Sequence, residues 1–256
     1  MSEKVLLSVK NVSNIYTDRR VGPFGKIVKK PVLNNINMEM TEGEIFGLTG
    51  VSGCGKTTLA RCILGLTDYT GEIYFNGVSA ERQNRRFAAQ RFPSGQMITK
   101  KTNGIQMIFQ DPASSLSPTK NIGWLMEEPL YIHKIFTSDD WERMRIVDDM
   151  LSRVGLDRSF KTRRVHELSG GQKQRVCIGR ALILKPKLLI ADEAISALDV
   201  STGAQIINLF KELNQNTGLS VLFISHNKDA VEYLCDRTAY MQKGEIISVD
   251  SFQESQ

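Results

Sequence analysis

The sequence has few of the features that mark secreted or membrane-spanning proteins. Only four of its 256 residues are cysteines, namely Cys54, Cys62, Cys177 and Cys235, and no two of them form a C-x-x-C pair. This spacing favours reduced thiols and predicts neither a disulfide framework nor a structural metal site. The longest apolar stretches, such as residues 219–225, are much shorter than the roughly 20 residues that a membrane-spanning helix needs.

The sequence also predicts no secretory leader, and it contains no evident internal repeat or low-complexity tract. Lys10 and Asn11 interrupt the first apolar run before it reaches the length of a signal-peptide core, so we expect a cytoplasmic protein. The net charge of +5 is small, and one cluster of basic residues lies in residues 82–101. This stretch is typical of a solvated connecting segment, and the alternative is a footprint for nucleic acid or an anionic membrane.

Strand-like and helix-like patterns alternate along the chain. Residues 6–17 and 71–77 alternate apolar and polar side chains and predict an antiparallel flank. Continuous apolar runs, typical of buried parallel strands, occupy residues 44–50, 187–193 and 219–226. Helical patterns follow at residues 56–66, 170–184 and 201–215. The sequence therefore predicts an α/β fold with a mainly parallel sheet and an antiparallel β flank.

The middle of the chain has a different pattern. From about residue 112 to residue 168 the strand signals fade, and residues 141–156 place apolar side chains at intervals of three and four. We interpret this segment as a helical subdomain inserted into one domain that spans residues 1–256, a length that suits a single sizeable core.

The segment from Gly50 to Thr58 predicts a nucleotide site. It matches G-x-x-x-x-G-K-[ST] directly after a predicted strand and at the start of a predicted helix. Glycines let consecutive backbone N–H groups converge on the phosphates of ATP or GTP, and the helix start adds a positive end. Lys56 is expected to neutralise the β- and γ-phosphates, and Thr57 to bind Mg²⁺. The expected nucleotide-binding residues are Gly50, Val51, Ser52, Gly53, Cys54, Gly55, Lys56, Thr57 and Thr58.

Two neighbouring carboxylates end the apolar run 187–193. Asp192 and Glu193 lie at the predicted carboxyl end of a buried strand, where open α/β sheets bind their ligands. Asp192 suits the Mg²⁺ shell, directly or through water. Glu193 is a candidate general base that orients the attacking water. Without the glycine-rich loop, the same pair would predict only a solvated strand end or a helix cap.

A second helix start with bare backbone follows the sequence Leu168-Ser169-Gly170-Gly171-Gln172. Ser169 can cap the helix, while Gly170 and Gly171 expose backbone N–H groups that could bind an anion. A simple capping turn is the alternative. A chain with two candidate phosphate-binding helix starts but only one glycine-rich loop suits a dimer in which each chain completes the other's site.

The sequence Leu-Ser-Gly-Gly-Gln resembles the signature of the ABC ATPase family, and the resemblance covers about residues 6–249. It implies a P-loop ATPase cassette that forms such dimers, with Gln172 as part of the signature. Further family elements occur in the expected order. They are Gln110 in IFQDP, residues 196–199 ending in Asp199, and His226 in ISH.

The resemblance also implies roles for these residues. Gln110 would contact Mg²⁺ and the γ-phosphate, Asp199 would join the dimer halves, and His226 would act with Lys56 and Glu193 on the γ-phosphate. Tyr16 lies where the family places an aromatic ring on adenine, with core packing as the rival interpretation.

Within the family, residues 109–118, 127–130, 166–172 and 196–209 resemble the ATPases of peptide and nickel importers. The resemblance implies an ATP-hydrolysing subunit at the cytoplasmic face of the membrane, with transmembrane permease subunits docking near residues 109–130. A paralogous ATP-binding subunit and, indirectly, an extracytoplasmic substrate-binding protein are the other expected partners. The chain departs from many relatives by having Ala194 and Ile195 after Glu193, and by ending soon after Val249.

Two other functions remain alternatives at this stage. A soluble ABC ATPase that acts on nucleic acid or the ribosome would use the basic residues 82–101. However, such proteins usually have paired cassettes or long coiled-coil insertions, and this sequence shows neither. No nucleic-acid partner is therefore expected. A regulatory cassette with weak turnover would not require the intact Lys56, Asp192, Glu193 and His226.

Overall fold

A computed structural model describes residues 4–19, 27–79, 90–91, 97–98, 104–133, 135 and 140–252. Two compact units are present: Met1–Ala88 with Phe223–Gln256, and Ala89–Leu222. The basic segment 82–101, the alternative nucleic-acid footprint, lies outside the described residues except for 90–91 and 97–98.

Strands and helices alternate along the described chain. The strands are β1 (Val5–Arg19), β2 (Ile27–Thr41), β3 (Ile45–Gly50), β4 (Thr70–Phe75), β5 (Val78–Ser79), β6 (Gln90–Arg91), β7 (Met97–Ile98), β8 (Ile105–Ile108), β9 (Leu188–Asp192), β10 (Ser220–Ile224), β11 (Arg237–Gln242) and β12 (Glu245–Ser251). The α-helices are α1 (Lys56–Ile63), α2 (Pro112–Ser115), α3 (Ile122–Ile132), α4 (Asp140–Arg153), α5 (Gly170–Leu182), α6 (Val200–Thr217) and α7 (Lys228–Leu234). Short 3-10 helices span Arg158–Thr162 and Val165–Glu167.

The first unit contains an antiparallel sheet and part of a parallel one. The antiparallel sheet has the order β2-β1-β4-β5. β3 pairs with β11 in parallel, and β11 pairs with β12 in antiparallel fashion. The end of β10 lies beside β3, where the Ser225 N–H donates to the Leu48 carbonyl at 3.3 Å. This arrangement confirms the expected antiparallel flank and places the carboxyl end of β3 at the start of the glycine-rich loop.

The second unit combines parallel strands with most of the helices. β8 and β9 pair in parallel, and the start of β10 lies beside β9. Between β8 and β9, the named elements from Pro112 to Leu182 are helical. The residues of β9 and β10 are all buried, as expected for strands covered on both faces. The predicted α/β class is therefore confirmed, although β10 ends at Ile224, two residues before the predicted end of that run.

Neither a membrane span nor a metal cluster occurs among the described residues. Within this part of the chain, no helix combines the length and the apolar character needed to cross a bilayer. The same residues contain no group of three or more His, Cys, Asp or Glu side chains that could hold a metal ion.

Candidate functional site

The glycine-rich loop joins β3 to α1 in the first unit, as its sequence predicts. Its backbone takes positive φ angles at Gly50 (147°), Gly53 (76°) and Gly55 (115°), which side-chain-bearing residues rarely adopt. α1 begins directly at Lys56, and no described side chain caps its N-terminus. The N–H groups of its first turn therefore add to a loop backbone suited to an anion.

The Lys56 side chain folds back into this loop. It is only 5% exposed. Its ammonium donates to the carbonyl oxygens of Gly50 at 2.8 Å and Val51 at 3.2 Å, and it lies 3.8 Å from Cys54 Sγ. The carbonyl dipoles thus hold a positive charge inside the loop, at the position where an anionic phosphate would be attracted.

Tyr16 and His226 also belong to the first unit. Tyr16 lies on β1 opposite Lys30 of β2 and is 64% exposed. This exposure excludes the core-packing interpretation of its ring. His226 is exposed on the turn after β10, next to Ser225, whose hydroxyl accepts from the Asn227 N–H at 3.1 Å. Asn227 in turn caps α7, so the turn that carries His226 is anchored at both of its ends.

In the second unit, Gln110 and Glu193 meet although they are distant in sequence. Gln110 Nε2 donates to Glu193 Oε2 at 2.7 Å. Glu193 has a positive φ of 49°, and its carbonyl accepts from the Ser196 N–H and hydroxyl at 3.1 and 2.9 Å. A left-handed backbone at a residue with a Cβ costs about 1–2 kcal/mol and persists where its surroundings hold it. Asp192, the last residue of β9, is 2% exposed.

The signature segment starts α5 with a reciprocal cap. Ser169 Oγ accepts from the Gln172 N–H at 3.3 Å, and the Ser169 N–H donates to Gln172 Oε1 at 3.0 Å. This capping box is the arrangement that a serine followed three residues later by glutamine predicts. It leaves Gly170 exposed in the first turn of α5, where side chains do not cover the backbone.

Asp199 and Gly171 bring the start of α6 against the start of α5. Asp199 caps α6 by accepting from the Thr202 N–H at 2.9 Å and the Thr202 hydroxyl at 2.7 Å. These hydrogen bonds, first the one from the backbone N–H, lower the pKa of the Asp199 carboxyl. A Cβ on Gly171 would lie 2.3 Å from Thr202 Cγ2. Asp199 therefore has a structural role that the sequence reasoning missed, although its position before an apolar helix is an N-cap signal.

Sequence reasoning also missed a buried ion pair in the helical part of this unit. Arg180 on α5 pairs with Glu128 on α3 and donates to the Ser115 carbonyl at 3.1 Å. Both charged side chains are at least 93% buried. In the sequence, Glu128 is noticeable only as part of EEPL at residues 127–130. No local spacing indicates that it pairs with Arg180.

The segment expected to dock a permease separates into buried and exposed side chains. Leu125 and Leu130 are buried, at 0% and 1% exposure, and belong to the core. Trp124 is 37% exposed, and Lys120 Nζ lies 4.7 Å from the centre of its ring. Of the three apolar residues Trp124, Leu125 and Leu130, Trp124 is therefore the one that is accessible on the surface.

Comparison with known proteins agrees with this arrangement. A family model described as ABC transporter matches residues 33–196. The chain is 42% identical over 233 residues to the oligopeptide transport ATP-binding protein AmiF of Streptococcus pneumoniae, a match that covers 90% of this chain and 72% of that protein. It is 39% identical over 250 residues to the oligopeptide transport ATP-binding protein OppF of Bacillus subtilis, covering 97% of this chain and 76% of the relative.

The fold is also similar to solved structures. One is a dimeric ATP-binding cassette in a post-hydrolysis state, bound to ADP and Pi. It has a TM-score of 0.79 and 28% sequence identity, and the match covers 97% of this chain and 99% of that chain.

Proposed function

This chain belongs to the ABC transporter family, and we propose that it is the ATPase subunit of an importer whose cargo is peptides. The observation that carries the proposal is 42% identity to an oligopeptide transport ATP-binding protein across 90% of the chain. Because the relatives described above are peptide transport subunits, peptides are proposed here in preference to nickel or other metal complexes.

The glycine-rich loop is proposed to bind the phosphates of ATP. Its positive φ angles and the start of α1 supply backbone N–H groups, and Lys56 supplies a positive charge held by Gly50 and Val51. Phosphate oxygens would replace these carbonyls as acceptors of the Lys56 ammonium. Tyr16 is proposed to stack on adenine, and its 64% exposure supports this role.

Glu193 is proposed as the general base for the attacking water. The hydrogen bond from Gln110 orients one carboxylate oxygen, and the Ser196 contacts hold the backbone of Glu193. His226, exposed on its turn, is proposed to contact the γ-phosphate. The Glu193 carboxylate is held by Gln110, which favours turnover over a purely regulatory cassette.

Thr57, Gln110 and Asp192 are proposed to hold Mg²⁺. Their hydroxyl, amide and carboxylate oxygens are the hard donors that this cation prefers. When bound with ATP, Mg²⁺ would supply positive charge that offsets the developing negative charge of the phosphates. The residues of this chain would position that charge and the water that Glu193 activates.

The signature segment is proposed to contact the ATP of a second ATP-binding subunit. Gly170 exposes backbone at the start of α5, and the similarity to a dimeric cassette supports this assembly. A paralogous subunit is proposed as the partner. Permease subunits would dock near residues 109–130, with the exposed Trp124 within that surface. We thus place the chain peripherally at the cytoplasmic face of the membrane.

ATP hydrolysis in the assembled transporter tests this proposal. The chain or its Glu193→Gln variant would be reconstituted in vesicles with candidate peptide permeases, a paralogous ATPase and the matching substrate-binding protein. We expect turnover that rises with the permease and with peptide and collapses in Glu193→Gln, which should retain ATP binding. An ATP hydrolysis rate that does not change with the permease but rises with DNA or ribosomes would contradict the proposal.

A further inference from the structure

The turn between β11 and β12 reaches the phosphate-binding loop from a distant part of the sequence. The Gly244 N–H donates to the Cys54 carbonyl at 3.0 Å, and the Gly244 carbonyl accepts from the Asn34 N–H at 2.8 Å. The side-chain amide of Asn34 also donates to Glu245 at 2.5 Å. Residues 242–245, named here the support turn, therefore join the loop to β2 within the first unit.

Met241, directly before the support turn, fits between the two ends of the loop. It is fully buried and lies opposite Gly50 in the register of β11 with β3. A Cβ on Gly50 would lie 2.1 Å from the Met241 carbonyl oxygen, and a Cβ on Gly55 would lie 2.9 Å from Met241 Cε. The Gly50 end of the loop thus approaches the Met241 backbone more closely than a side chain at Gly50 would allow, and the Gly55 end lies near the tip of the Met241 side chain.

The support turn has an unfavourable backbone at one position. Lys243 and Gly244 both have positive φ, 48° and 84°, as in the two-residue turns whose twist matches a β-hairpin. Glycine adopts this conformation freely, but lysine does not. Such strain persists where the surrounding structure holds the chain, and it is frequent near functional sites.

Because a peptide group is planar and trans, fixing a carbonyl also fixes the N–H on its other side. The hydrogen bond from Gly244 to the Cys54 carbonyl therefore sets the direction of the Gly55 N–H. That N–H lies at the N-cap of α1, among the donors of the glycine-rich loop. An orientation set before binding avoids a reorganisation cost when a phosphate arrives.

We propose that the support turn is a positioning element for the phosphate-binding loop, acting through the Cys54–Gly55 peptide and not by touching the nucleotide. This inference rests on the proposed function, in which the loop binds ATP. The support turn lies outside residues 33–196, the part matched by the family model. Its disruption should weaken phosphate binding without removing any residue that contacts ATP.

Gly244→Ala with Gly43→Ala as its control tests the proposal. Both glycines have a φ of 84°, so alanine introduces the same backbone strain at each. A Cβ on Gly244 would lie 2.5 Å from the Val32 carbonyl oxygen, whereas a Cβ on Gly43 would meet nothing within 4 Å. The pair therefore separates displacement of the support turn from the general cost of a left-handed alanine.

Titration of the full chain with ATP, inorganic triphosphate and adenosine supplies the readout. We expect Gly244→Ala to raise the Kd for ATP and triphosphate about tenfold, as for the loss of one well-placed hydrogen bond, and Gly43→Ala to change it less than about twofold. Binding of adenosine should remain unchanged in both variants. A merely structural role would lower the melting temperature and leave the phosphate-dependent affinity of the folded protein intact, which would overturn the proposal.

Two further results keep the two proposals distinct. If the unmodified chain does not bind ATP, the proposed function fails and this inference fails with it. If it binds ATP and Gly244→Ala binds equally well, only the positioning role is wrong. Should Gly244→Ala not fold, Asn34→Ala removes just the exposed hydrogen bond to Glu245 and should weaken ATP binding about twofold, again without effect on adenosine. An unchanged ATP affinity in Asn34→Ala would then refute the positioning role.

Discussion

Gln110 Nε2 donates a hydrogen bond to Glu193 Oε2 at 2.7 Å, across 83 positions of sequence. The donor follows β8 and the acceptor follows β9, and these two strands pair in parallel. Because parallel strands end at the same sheet edge, their carboxyl ends bring the two side chains together. One carboxylate oxygen of the proposed base is thereby held by an amide and is not left to rotate.

Gln110 is therefore expected to act in part through Glu193, in addition to its proposed contact with Mg²⁺. Gln110→Ala should lower kcat of the assembled transporter roughly ten- to a hundredfold, the range for losing a hydrogen bond to a charged group. Glu193→Gln should lower it by at least about a hundredfold because the base is removed. The double variant should lose less than the product of the two single losses, because each single variant already removes the hydrogen bond between the two side chains. Losses that multiply in the double variant would show that Gln110 acts independently of Glu193.

The two signature glycines should respond differently to alanine. In Gly171→Ala the new Cβ would meet Thr202 Cγ2 at 2.3 Å, and Thr202 cannot easily turn away because its hydroxyl donates to Asp199. We expect a loss of about 1–3 kcal/mol in the free energy of unfolding, typical of overpacking. Gly170→Ala meets only Leu198 Cδ2 at 3.5 Å, an ordinary contact, so its stability should stay near that of the unmodified chain. Denaturant unfolding compares the two, and equal losses would contradict this packing.

Asp199 should stabilise the folded chain in a pH-dependent way. Its pKa is lowered, first by the Thr202 backbone N–H and then by the Thr202 hydroxyl. Stability from its charge is therefore present above the ordinary aspartate pKa of about 3.9 and is lost as the pH falls through the lowered folded value. Asp199→Asn keeps a capping oxygen without the charge. Its melting temperature should lie below that of the unmodified chain at pH 7 and approach it in acid, and a constant difference at all pH values would exclude this role.

Thiol alkylation should begin at Cys54. Burial, followed by the nearby Asp68, raises the pKa of Cys62 to about 12, and burial raises that of Cys177 to about 11. The pKa of Cys235 is also raised, chiefly by burial. These three thiols should react slowly at neutral pH because little thiolate is present.

Cys54 is also buried, at 5% exposure, but it lies in the proposed phosphate site with its sulfur 3.8 Å from Lys56 Nζ. Peptide mapping after treatment with N-ethylmaleimide should find it modified first in the nucleotide-free protein and protected by Mg-ATP. Cys54→Ser should remain unmodified over the same time. Faster labelling of Cys62, or equal labelling of Cys54 in both states, would contradict this placement.

Features of the site that depend on neighbours in sequence were predictable. The glycine-rich loop between β3 and α1, and the Ser169 cap of α5, occur where the sequence predicts them. Each is formed by residues within one or two turns of backbone, so residue type and spacing carry the necessary information. The α/β class was predictable for a related reason, because burial of a strand or a helix face imposes a periodicity on the sequence.

Features that depend on strand order were not predictable in this way. Neither the contact of Gln110 with Glu193 nor that of Gly244 with Cys54 follows from any local spacing, and the exposure of Tyr16 could not be separated from core packing. Arg180 and Glu128 likewise meet only because α5 and α3 pack together. The sequence by itself therefore determined the candidates for phosphate binding and for water activation. Only the tertiary structure decided which distant groups hold them in place, because those contacts arise from the packing of whole strands and helices.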